Sequence, residues 1–267
     1  MECVGEIAQK DLFRLHEDSL IFSARVPVFD ANVGVGHRHD RPATFESAAD
    51  LLKEMDRHGV ERALIYPVQG ESISSIDGNQ ALKAWLGDDR LSPQWMLGTD
   101  GDSLSRLREL RSGGHVTCVR LHDAGARVPL VEWVYGESLD WLSAEGIPLW
   151  ISLVDAEARE VVELLRHFPD LDVALLGAHY VHASLVRGML RELPRARLEL
   201  SRYEVLGDAE ALVQEFGAGR FLYGSYYPRY AMGPMLYYLH QLDFTEAELA
   251  AVCAGNLEGL LGEGPKT

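Results

Sequence analysis

The residues of this chain best suited to handling protons and anions stand at the ends of short apolar runs. In Thr117–His122, alternation places Arg120 and His122 on one face. A guanidinium there can grip a carboxylate with two parallel hydrogen bonds, while an imidazole of ordinary pKa about 6.5 moves a proton. His179, near the end of Leu175–Tyr180, is a second imidazole. To act as a general base it needs an orienting carboxylate, which Asp30 or Glu199 can supply. Arg197–Ser201 carries Glu199 and Ser201 on one side and leucines on the other. The leucines should face outward, leaving Glu199 inside, where a bare carboxylate must be neutralised or paired, with Arg120 or Arg202 as partners. His122, His179, Asp30 and Glu199 are thus the candidate catalytic residues; Arg120, Asn32, His37, Ser152, Arg202, Tyr226 and Arg229 are the candidate substrate-binding residues. Each has a structural alternative: Arg120 in an internal ion pair, His122 solvated at a rim, His179 bonded to loop backbone, Glu199 in a buried pair, and the tyrosines simply packed.

His37-Arg38-His39-Asp40 is weighed separately, because His-x-His is a possible metal pair. It follows Gly34 and Gly36 and reads as a loop. With His122 or His179 it would build a displaced metal centre; otherwise it is an exposed polar loop whose His37 touches the ligand.

These residues need a frame that brings distant strand ends together. Eight runs read as strands: Val26–Asp30, Arg62–Pro67, Pro93–Leu97, Thr117–His122, Pro148–Leu153, Asp172–Gly177, Arg197–Ser201 and Phe221–Gly224. Between them lie helical patterns at Phe45–His58, Asn79–Gly87, Leu104–Arg111, Leu139–Ala144, Ala156–His167, Leu185–Arg191 and Ala209–Phe216. Thr44 and Asp155 are the expected helix-opening caps. Alternating strands and helices predict a parallel sheet covered by helices, and 267 residues suit one (β/α)₈ barrel. The expected organisation is an appended amphipathic segment over residues 1–25, a single barrel domain over 26–262 and a polar tail over 263–267.

Composition excludes several partners. A net charge of −16 opposes binding to a phosphate backbone, so no nucleic acid is expected. No apolar run approaches the roughly 20 residues of a membrane span, and Met1–Asp18 is too charged for a signal peptide, so a cytoplasmic protein without membrane contact is expected. Cys3, Cys118 and Cys253 are few and scattered, as reduced thiols would be. Trp133, Trp141, Tyr237 and Tyr238 on outer helices can support a homodimer or complete the core.

The order of elements, the Asp30-x-Asn32-x-Gly34-x-Gly36 opening and the Tyr223-Gly224-Ser225-x-x-Pro228 closing resemble the amidohydrolase-related (amidohydrolase 2) family of TIM barrels. The stretches Leu51–Val60, Phe168–Leu171 and Gly255–Gly262 support the likeness, which covers nearly the whole chain after Arg25. It implies a metal-dependent-hydrolase-like barrel acting on small cyclic or carboxylated substrates at the C-terminal mouth. Where the family places metal ligands, this chain carries Asn32, Gly34, Ser152, Gly177 and Tyr226. The expectation is therefore an enzyme without metal or other cofactor, using acid–base groups that contribute about 10²–10⁴-fold each, as lyase, decarboxylase, isomerase or hydrolase on a small-molecule substrate. The rivals are a non-catalytic ligand-binding barrel and a hydrolase with a relocated metal site.

Overall fold

The computed structural model describes residues 22–37, 44–121 and 128–262. His39, His122, most of the appended segment and the 263–267 tail lie outside these residues.

Parallel pairing runs from β1 (Phe29–Val35) to β2 (Arg62–Pro67) to β3 (Leu91–Pro93). A second run joins β4 (Trp95–Leu97), β5 (Val119–Leu121), β6 (Leu149–Ser152), β7 (Val173–Leu176), β8 (Ala196–Glu199) and β9 (Phe221–Leu222) in sequence order. Backbone bonds connect the two. β3 and β4 are successive halves of one strand position interrupted at Gln94, whose N–H donates to Ile65 O at 2.8 Å. On the other side, Ala31 N donates to Tyr223 O at 3.1 Å and Gly34 N to Tyr227 O at 2.7 Å. Eight strand positions thus follow one another around a TIM barrel, as the run pattern predicts.

The expected first strand, Val26–Asp30, starts and stops too early: β1 runs to Val35 and carries a register shift between Asp30 and Val33. Phe29 and Ala31 join the inner cluster with Leu64, Trp150 and Leu176, while Val33 and Val35 pack into the outer core with the helices. The bulge advances the two-residue alternation by one position, so Asn32 and Gly34 also turn inward.

Helices Ala48–His58, Gly101–Ser112, Glu132–Glu145, Ala158–Leu165, Ala183–Glu192 and Asp208–Phe216 cover the sheet. The cap expected at Thr44 is Ser47, whose side chain accepts from Asp50 N; Asp155 gives way to Glu157, which makes no side-chain cap bond. The helix expected from Asn79 starts earlier, at Ser75, where the Ser74 side chain accepts from Asp77 N. Gly233–Gln241 forms a further helix, to which the pattern gives no bounds and which carries Tyr237 and Tyr238 as expected of an outer helix.

Candidate active site

Inside the barrel the lower layers are apolar, with Phe29, Leu64, Cys118, Trp150, Ala174 and Leu222. Above them, at the C-terminal ends of the strands, the filling changes to charged and amide side chains. Asn32, Gln94, Arg120 and Glu199 are all at most 1% exposed. A TIM barrel places its chemistry at this end.

Arg120 is the hub of one half. Its Nη1 donates to Asn32 Oδ1 at 3.0 Å and Gln94 Oε1 at 3.3 Å, and its Nη2 donates to Glu71 Oε1 at 2.9 Å. The guanidinium lies 3.7 Å above the Tyr66 ring. Glu71 receives Arg229 on its other oxygen at 2.7 Å, and Arg229 lies over the Tyr226 ring. Tyr226 has φ 57, the one non-glycine residue with positive φ among those described, a conformation that is strained for an aromatic residue. Burial and then Glu71 push its phenol up to about 12.

Asn32 links this half to two carboxyl groups. Its Nδ2 donates to Glu199 Oε2 at 3.2 Å, and its backbone N donates to Asp30 Oδ1 at 3.0 Å. Glu199 also accepts from Ser201 N at 2.7 Å and Ser201 Oγ at 2.9 Å. Asp30 accepts from Ser225 N at 2.9 Å, and its Oδ2 has no partner among the described residues. Burial raises Glu199 to about 7 against the opposing Ser201 bonds, and Asp30 adds to the rise. Burial likewise raises Asp30 to about 6, although Ser225 and Asn32 pull it down. Burial thus brings Glu199 close to neutrality and Asp30 part of the way there, the direction that suits proton transfer.

Two cavities open above this network. One of about 360 Å³ is lined by Glu71, Arg120, Ser152, Asp155 and apolar neighbours such as Ile151 and Leu130. The other, of about 440 Å³, lies over the ends of β8 and β9, with Ser201 and Ser225 among its lining.

Several expectations change in detail. Glu199 is paired with Asn32 and Ser201, not with Arg120 or Arg202. Arg120 is an internal ion-pair residue whose two terminal nitrogens are taken by protein acceptors, because Asn32 on β1 and Glu71 just after β2 reach it across the barrel mouth. His179 is half-buried, and its Nδ1 has no partner among the described residues, so neither Asp30 nor Glu199 orients it through that atom. Burial, then Arg202, holds its pKa below the ordinary value. His37 is exposed at the end of β1, and Ser152 Oγ accepts from Val154 N at 3.3 Å. Arg202 is half-buried, 5.3 Å over the Tyr230 ring.

Glu71, Gln94 and Tyr66 were missed from the sequence. Each is a single polar residue at or just after a strand end, and only the pairing of β2 with β3, continued by β4 to β5, brings them to Arg120. Trp141 packs against the core, whereas Trp133 is 82% exposed. Among the described residues no group of three or more His, Cys, Asp or Glu side chains converges as a metal would require.

No protein-family model and no curated protein matches the chain. Solved structures do. An uncharacterised TIM-barrel protein from Bordetella bronchiseptica is 18% identical with a TM-score of 0.70, covering 89% of this chain and 99% of its own. 5-Carboxyvanillate decarboxylase from Sphingomonas paucimobilis is 12% identical with a TM-score of 0.68 over 89% and 99%. Amidohydrolase 2 from Bifidobacterium longum subsp. infantis is 14% identical with a TM-score of 0.65 over the same shares. At these identities the likeness establishes architecture, and the chain has the TIM-barrel fold shared by these amidohydrolase-type hydrolases and decarboxylases.

Proposed function

We propose that the protein is an enzyme that transfers protons on a small cyclic carboxylate, with Glu199 and Asp30 as the acid–base pair and a fixed guanidinium in place of a divalent metal. The observation that carries this reading is the Asp30–Asn32–Glu199 chain of hydrogen bonds at the barrel mouth, with both carboxyls raised toward neutrality. Decarboxylation is the reaction class that fits best, since it needs a proton delivered to carbon and no activated water. The acid protonates the ring carbon bearing the carboxylate, the bond to the carboxylate breaks, carbon dioxide leaves and the electron pair restores the ring. Water then returns the proton to the enzyme. The fold neighbour that acts on 5-carboxyvanillate is named for this class of reaction.

The side chains at the family's metal positions do not fit a divalent ion. Asn32 has its amide oxygen on Arg120 and its amide nitrogen on Glu199. Gly34 offers no donor and lies against Tyr66: a Cβ there would sit 3.0 Å from the phenol oxygen. Gly177 has φ +68, and a Cβ would come within 2.7 Å of Val154 Cγ2, so an imidazole is excluded by both backbone and space. The Arg120 cation itself sits beside Asn32, where it would repel a metal ion. Arg202, with no protein carboxylate bound to it among the described residues, is the better anion holder. His179 stands in its field and serves as a second proton carrier.

Glu199 and Asp30 are each 0% exposed, which favours as second reading a barrel that binds a ligand without turning it over. Assays of chelator-treated protein against cyclic mono- and dicarboxylates, 5-carboxyvanillate among them, separate the two. The enzyme reading expects carbon dioxide release that Glu199→Gln lowers by about 10²-fold or more, with ligand binding retained. Turnover that appears only on adding a divalent metal, or that Glu199→Gln leaves intact, contradicts it.

A further inference from the structure

The turn that follows β8 folds a serine hydroxyl back onto a buried carboxyl group. Ser201 Oγ donates to Glu199 Oε2 at 2.9 Å, and Ser201 N donates to Glu199 Oε1 at 2.7 Å. Asn32 Nδ2 reaches the same Oε2 at 3.2 Å. Both carboxyl oxygens are thereby fixed, and the one bonded to the hydroxyl is placed to take its proton. A carboxylate oriented by a third residue against a serine hydroxyl has the form of a base with its nucleophile. Burial raises Glu199 to about 7, which makes it a stronger base toward a hydroxyl than an ordinary carboxylate.

Ser201 also lines the cavity of about 440 Å³, a volume in the range that encloses a small ligand. Leu206, Ala231, Pro234 and Met235 give that cavity an apolar body, and Tyr230 adds an aromatic wall. Glu204 is the one charged residue of its lining among the described residues. A negatively charged ligand would meet that carboxylate with no lining cation to offset it. An uncharged apolar group needs no polar partner there and is the better occupant.

We infer that Ser201 is a nucleophile, with Glu199 as its base, for acyl transfer from neutral esters whose acyl group fills the cavity above β8 and β9. Ser201 Oγ forms a bond to the carbonyl carbon while its proton passes to Glu199 Oε2. The bond from that carbon to the alkoxy oxygen then breaks, and the alcohol leaves with the proton. Water attacks the acyl-enzyme and gives a proton to Glu199; return of that proton to Ser201 Oγ frees the carboxylic acid. This reaction shares Glu199 with the proposed decarboxylation but needs no carboxylate on the substrate and no proton delivered to carbon.

The test is covalent labelling of the full chain with an uncharged alkyl fluorophosphonate, read by intact mass and by sequencing the modified peptide. Ser201 Oγ should displace fluoride and leave a single phosphonyl adduct on Ser201. Ser201→Ala should carry none, and Glu199→Gln should label about 10²-fold more slowly or worse, since its amide cannot take the proton. Met235→Trp fills the cavity and should also block labelling, with circular dichroism confirming the fold of each variant. If Ser201→Ala does not fold, Ser201→Cys replaces it and should be alkylated by iodoacetamide at that position. No adduct on the wild-type chain, an adduct only on another residue, or a Ser201 adduct formed equally fast in Glu199→Gln overturns the inference. Labelling of Ser201 without carbon dioxide release from any cyclic carboxylate leaves it standing and removes the decarboxylase reading; carbon dioxide release without labelling does the reverse.

Discussion

Glu199 enters folding and chemistry with the same proton. Burial raises it from 4.5 to about 7, and Asp30 from 3.8 to about 6, so the folded chain holds protons that the unfolded chain releases. For such groups the stabilisation is complete below the unfolded pKa and is lost as pH rises through the folded one. The stability of wild type relative to Glu199→Gln should therefore fall by about 2–3 kcal/mol between about pH 5 and pH 8, measured by urea denaturation at each pH. A constant difference would mean that Glu199 is ionised throughout. Much of this residue-scale picture is legible in sequence: alternation places Arg120 and Glu199 inside, and strand-end position marks Asn32, Tyr226 and Arg229. What sequence cannot supply is who meets whom. Arg120 pairs with Glu71 because β2 and the interrupted β3–β4 position lie between β1 and β5, a fact of strand order rather than of any local pattern.

At the scale of elements, the mouth is held by pairings between strand ends, and each can be broken separately. Arg120→Met leaves Glu71 buried beside Arg229 alone and should destabilise the protein by about 3–5 kcal/mol. Removing both charges, in Arg120→Met/Glu71→Leu, should cost less than the two single changes summed, as a double-mutant cycle in urea would show. The strand after β8 must also pass close to Glu199. A Cβ at Gly224 would lie 2.2 Å from Glu199 Oε1, so Gly224→Ala must displace the carboxylate. It should lower stability by about 1–3 kcal/mol and, on the enzyme reading, turnover with it; unchanged thermal melting would show that the carboxylate has room to move. The strand runs of the sequence locate these elements within a few residues, and Arg62–Pro67 matches β2. The errors have physical causes. A bulge extends β1 to Val35, and Gln94 interrupts β3 and β4.

Over the whole molecule, neighbouring outer helices are stitched by exposed ion pairs such as Arg108–Glu137, Arg166–Glu192 and Arg191–Glu215. Exposed pairs of this kind are each worth about 0–1 kcal/mol, so Arg166→Ala should shift the melting temperature little and less still at high salt. Stability resides in the core and in the sealed polar layer above it. Among the described residues no helix is long and apolar enough to cross a membrane. The chemistry open to this barrel depends on which cation occupies its mouth. Elemental analysis of protein produced in zinc- and manganese-supplemented medium and purified without chelator addresses this directly. Far less than one equivalent of either metal, with the same melting temperature before and after chelation, is the predicted result; a stoichiometric ion whose removal lowers the melting temperature would show that Arg120 does not take the metal's place.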